Sequence, residues 1–125
     1  MKKNTLTNTA FIFVLTFLSC SKSLPTLDGV DLKVWNTDKN ACTGKRSDMK
    51  AAISLQKEKL LGLNEMEIVS LLGLPDNNEL YKRNQKFYYY SVLPSKECNL
   101  QSQNPKLELI IRFTAMGVAN EVSIE

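Results

Sequence analysis

The chain has 125 residues, no histidine, and 16 lysines and arginines against 13 aspartates and glutamates, which leaves room for one modest core in a single domain. Without histidine, the commonest general base and the commonest metal ligand are both missing, so no catalytic group, metal site or cofactor is expected. The net charge of +3 includes Lys2 and Lys3, and what remains is too evenly balanced for a nucleic-acid partner.

Residues 1–20 read MKKNTLTNTAFIFVLTFLSC, a basic start followed by an apolar run from Ala10 to Leu18. That run is too short to span a bilayer, which needs about 20 apolar residues. The order is that of a secretory leader, and Phe17-Leu18-Ser19-Cys20 resembles a bacterial lipobox. The resemblance implies cleavage after residue 19 and acylation of Cys20, which would hold the chain to a membrane through lipid. The alternative is an ordinary secretory signal cut nearby. Residues 20–33 are polar and contain Pro25 and Gly29, so they are expected to form a flexible tether, with the folded domain over residues 34–125.

Once Cys20 is assigned to lipid, Cys42 and Cys98 are left over. In an oxidising compartment two cysteines permit a single intramolecular disulfide; the alternative is two buried free thiols. Over residues 42–61, Met49, Ala52, Ile53, Gln56 and Leu60 recur at three- and four-residue intervals, which predicts an amphipathic helix. Gly62 can end it. Asn64 and Glu67 approximate a capping box for a second helix over residues 65–72, with Met66, Ile68, Leu71 and Leu72 expected inside, and Gly73 and Pro75 stop it.

From residue 79 the period becomes two. Residues 79–82 and 86–93 read as a hairpin around Arg83-Asn84-Gln85. Residues 106–113 place Leu107, Leu109, Ile111 and Phe113 on one face, and the last strand is expected to put Val118, Val122 and Ile124 inward. The predicted class is α+β, with two N-terminal helices packed on one face of a three- to four-stranded antiparallel sheet.

The segment LLGLNEMEIVSLLGLPD, residues 60–76, followed by a tyrosine-rich strand, resembles the BamE/SmpA/OmlA family of small outer-membrane lipoproteins. The resemblance covers residues 60–124. It implies two helices followed by an antiparallel sheet, a position on the periplasmic side of the outer membrane, and support of outer-membrane assembly through envelope protein partners. The same architecture also resembles the repeats of β-lactamase-inhibitor proteins, which implies an inhibitor or ligand-binding lipoprotein that uses its sheet face.

Two constellations stand out as possible protein-binding residues. Tyr81, Tyr88 and Tyr90 belong to a run in which aromatic side chains alternate between faces, and tyrosine is favoured at interfaces; the alternative is strand filling by β propensity. Trp35 and Arg46, with Asp38, Cys42 and Met49, could form an aromatic and cationic pair for a partner, with Asp38 pairing with Arg46; the alternative is a core tryptophan.

Overall fold

A computed structural model describes residues 22–101 and 103–125. The fold is α+β. The helices come first: α1 at Leu32–Thr37, α2 at Lys45–Asp48, α3 at Lys50–Gln56 and α4 at Glu65–Leu72, with 3-10 turns at Lys39–Ala41 and Lys57–Leu60. The strands follow: β1 at Asn77–Tyr81, β2 at Gln85–Ser91, β3 at Glu108–Phe113 and β4 at Ala119–Ile124. All neighbours are antiparallel in the order β1-β2-β3-β4, and the helices cover one face of the sheet.

The capping box is present in full. Asn64 Oδ1 accepts from Glu67 N at 2.9 Å and Glu67 Oε2 accepts from Asn64 N at 2.8 Å, satisfying two backbone donors that the first turn of α4 would leave unpaired. The helix stops at Gly73, whose φ of +78° suits glycine. A side chain there would also collide with Asn36, because a Cβ would lie 2.7 Å from its Oδ1. Tyr90 then donates to the Gly73 carbonyl at 2.8 Å, pinning the helix exit to the sheet. Met66 does not join this face: it is 80 % exposed. Ile68, Leu71 and Leu72 form the buried stripe, and a residue two positions before Ile68 lies about 200° away around a helix with 3.6 residues per turn.

The single helix expected over residues 42–61 is broken into α2, α3 and a 3-10 turn. Residue 49 leaves helical geometry at φ −94°, ψ 1°, and Cys42 and Gly44 stand before α2 rather than within it. The break keeps Arg46, Met49, Ile53 and Leu60 all buried, so the spacing located the core side correctly while overstating the helix. In β4, Ala119 and Val122 are buried and Val118 is 37 % exposed. A register shift beside Arg112 and Phe113 pairs Phe113 with Ala119 and Arg112 with Glu121. The extra residue of this bulge moves the inward set by one.

The expected tether also needs correction. Leu27 and Val30 are buried in the core cluster. Asp28 N donates to Gln56 Oε1 at 2.7 Å, and Lys59 Nζ donates to the Thr26 carbonyl at 2.9 Å. Asp31 caps α1 by accepting from Val34 N, so α1 begins inside the stretch assigned to linker. The composition is polar, but two apolar residues three apart suffice to bind the segment to α3.

Candidate functional site

Strand register decides which aromatic residues face out. Tyr88 pairs with Ile111 and Tyr90 with Leu109, and directly opposed residues share a face. Leu109 and Ile111 are fully buried, so Tyr88 and Tyr90 point under the helices. Tyr90 is itself fully buried, and burial pushes its hydroxyl far above the ordinary tyrosine value. Tyr88 is half-buried, packs edge-on against Phe113 at 4.8 Å and donates to Glu65 at 3.1 Å. The expectation that these two tyrosines form an exposed surface fails for Tyr90, and Tyr88 is only partly accessible at the rim.

The opposite face carries the other aromatics. Glu79 pairs with Phe87, Phe87 with Arg112, and Tyr89 with Asn77 and Ile110. Tyr81, 59 % exposed, meets Phe87 edge-on at 6.0 Å, and Phe87 stacks on Tyr89 at 6.3 Å. Cations lie over the rings: Lys106 is 5.9 Å from the Tyr89 ring and Arg112 is 6.0 Å from the Phe87 ring. Tyr89 donates to Glu79 at 3.0 Å, and partial burial, then that carboxylate, raises its hydroxyl above the ordinary value. Phe87, Tyr89 and Ile110 are half-buried although, among the described residues, no helix lies over them. The result is a rigid aromatic stripe with polar tips, the composition favoured in protein interfaces. Of the tyrosines proposed from sequence, Tyr81 belongs to this stripe; Phe87 and Tyr89 were visible as the alternate pair of the run and lacked only a register to orient them.

Trp35 and Arg46 are both fully buried and offer nothing to a partner. The Arg46 guanidinium lies 4.9 Å from the Trp35 ring centroid, donates from Nε to the Trp35 carbonyl at 2.9 Å and from Nη1 to the Ser91 carbonyl at 3.1 Å. Its ion-pair partner is Asp76, which the sequence offered only as the last residue of the segment 60–76. Asp76 also accepts from Asn40 N at 3.0 Å and Ser91 N at 2.8 Å. One buried pair thus joins α1, α2, the start of β1 and the end of β2.

Asp38, expected to pair with Arg46, instead caps α2. Its carboxylate accepts from Thr43 N at 2.8 Å, Thr43 Oγ1 at 2.7 Å and Arg46 N at 2.9 Å. Burial alone would raise the Asp38 carboxyl, but these hydrogen bonds outweigh it and hold the group below its ordinary value of 3.8. A carboxyl depressed by folding adds stability that is complete above the unfolded value and disappears as pH falls through the folded one. Chemical denaturation is therefore expected to show a loss of stability as pH falls below the ordinary carboxyl value of 3.8 that is smaller in an Asp38→Asn variant. Parallel acid limbs for the two proteins would refute this role.

Cys42 and Cys98 are joined in a disulfide with 5.3 Å between their Cα atoms. The bridge, with Ser95 N donating to the Asn40 carbonyl at 3.2 Å, holds the segment between β2 and β3 against the helical layer. Beneath this segment lies a polar cleft of about 920 Å³ that reaches Asn40, Asp76, Lys106 and Glu108. Among the described residues no cluster of three or more cysteine and acidic side chains could hold a metal, and no helix is long and apolar enough to cross a membrane. Cys20 and its leader lie outside the described residues. Compared with known proteins, the chain matches no family model, no curated protein and no solved structure.

Proposed function

We propose that this chain is a non-enzymatic lipoprotein of the bacterial envelope, anchored through Cys20 and acting as a protein-binding accessory or scaffold. The observation that carries the reading is the uncovered aromatic stripe of Tyr81, Phe87 and Tyr89, flanked by Ile110. Rigid tyrosine and phenylalanine rings bury a large area at little entropic cost, and water stays in reach of their hydroxyls. The resemblance of residues 60–124 to the BamE/SmpA/OmlA family supports outer-membrane placement and a role in assembly there. The lipobox-like residues 17–20 support the anchor, and the absence of histidine supports a binding role over a catalytic one.

A photo-crosslinking amino acid placed at Tyr89 in intact cells is expected to capture discrete envelope proteins, whereas one at exposed Lys50 on α3 captures none of them. Tyr89→Ala is expected to weaken the captured complex by roughly 30-fold, the size of a hot spot of about 2 kcal/mol, without moving the urea midpoint by much. Identical capture patterns from positions 89 and 50 would end the docking reading. A second reading, an inhibitor or small-ligand-binding lipoprotein, is favoured only by the polar cleft under the bridged segment. A polar ligand whose binding disappears in Cys98→Ser while Tyr89→Ala leaves it intact would select it.

A further inference from the structure

We infer that one end of the domain, built from the paired segments 61–64 and 116–119 and the first described residues, rests directly on the lipid surface. This rests on the acylation of Cys20 proposed above. The free chain between that cysteine and the folded body is very short. Lys22 Nζ already lies 3.5 Å from the Gly62 carbonyl, Lys59 holds the Thr26 carbonyl, and Leu27 is in the core. One residue, Ser21, separates Cys20 from Lys22, and the two chain steps reach at most about 7 Å when fully extended. A lipid on Cys20 therefore enters the bilayer close to Gly62, with no long spacer to hold the domain away.

What stands at that end suits a membrane interface. Gly62 N donates to the Ala119 carbonyl and Ala119 N to the Leu63 carbonyl, both at 2.8 Å, and Asn64 bridges to Val118. This small ladder carries Leu61, 42 % exposed, Met116, 91 % exposed, and Val118, with Leu24 nearby on the incoming chain. Lys22 reaches Gly62, and Lys57 and Lys59, with Glu58 between them, precede Leu61 in the chain, Lys57 also donating to the Val122 carbonyl at 3.2 Å. Glu65 and Glu67 are turned to other work, the first with Lys86 and Tyr88 and the second in the α4 cap. Apolar side chains that enter the headgroup boundary, ringed by lysines that meet anionic lipid, are the two elements of interfacial binding. The same contact supplies what a single acyl chain lacks for durable attachment. It also orients the domain, because Leu80, Lys86, Phe113 and Ala119 share one cross-strand row at this end, whereas the bridged segment between β2 and β3 follows Ser91 and precedes Glu108 at the other.

Quenching by brominated lipid tests this on the full-length acylated protein, purified from the producing cells and reconstituted into phosphatidylethanolamine and phosphatidylglycerol vesicles. The sole native indole, Trp35, is fully buried and supplies a low background. In Met116→Trp, bromolipid is expected to remove at least about half of the added emission, since the side chain would sit within about 5–10 Å of the acyl boundary. Leu100→Trp, in the bridged segment at the opposite end of the strands, is expected to show no quenching above background. Leu61→Trp repeats the measurement should the first variant misfold. Equal quenching at 116 and 100, or none at either while the protein floats with the vesicles, overturns the orientation and leaves the anchor standing. An intact mass without lipid on Cys20 overturns the anchor itself, and this inference with it.

Discussion

Asp76→Ala is expected to cost about 3–5 kcal/mol, the range measured when one partner of a buried ion pair is removed, and so a large part of a total stability of about 5–15 kcal/mol. The side chains of Arg46 and Asp76 are 0 % and 3 % exposed, so the guanidinium left behind is a buried charge without its ionic partner. Two further donors, the backbone N–H groups of Asn40 and Ser91, lose their acceptor in the same step, and an unpaired buried donor costs about 1–3 kcal/mol. Asp76→Asn keeps one carbonyl oxygen in place and is expected to lose distinctly less. Arg46→Met combined with Asp76→Ala removes both charges and is expected to be less damaging than the sum of the single changes, the mark of a coupled pair. Urea unfolding of the parent, the two Asp76 variants, Arg46→Met alone and the double variant decides the matter. An Asp76→Ala variant within about 1 kcal/mol of the parent would show that the pair is incidental to the fold.

The importance of Asp76 could not be read from the sequence, whereas the helix beside it could. α4 announces itself through local chemistry: a capping pair three residues apart, a buried stripe of Ile68, Leu71 and Leu72, and a glycine exit, all within ten residues. The antiparallel sheet is equally local, because β3 alternates without interruption between buried and half-buried positions. Residues that act through distant partners are a different matter. Arg46 and Asp76 are 30 residues apart, and nothing in either neighbourhood states that a buried cation needs this carboxylate. The orientation of β2 failed for a related reason. With aromatics on both faces of the strand, alternation gives two sets, and only pairing with Leu109 and Ile111 says which set is covered. The same pairing moved the candidate interface from Tyr88 and Tyr90 to Phe87 and Tyr89. The supposed tether misled because polar composition describes most of its surface, while its attachment depends on the burial of Leu27 and Val30 and on hydrogen bonds to distant Gln56 and Lys59.

Removing the bridge with Cys42→Ser and Cys98→Ser together is expected to destabilise the domain by about 4 kcal/mol on the chain-entropy account of a cross-link closing a loop of 56 residues, with about 2 kcal/mol as the lower expectation. The source of that loss can be separated from ordinary packing. Cys42 is exposed and Cys98 half-buried, and the local contacts at stake are few, chiefly Ser95 N donating to the Asn40 carbonyl. Leu100, at the far side of the bridged segment, is 91 % exposed and contributes no core. The folded sheet should therefore keep its hydrogen-exchange protection, while the segment between β2 and β3 exchanges freely. Unfolded chains lacking the bridge are larger and expose more surface, so the slope of stability against urea should rise as the midpoint falls. Reductant should bring the parent to the same midpoint and slope and leave the serine variant unmoved. A lower midpoint with an unchanged slope and weakened protection in β2 and β3 would instead place the effect in the folded state, making the bridge a clamp on the sheet rather than a restraint on the unfolded chain.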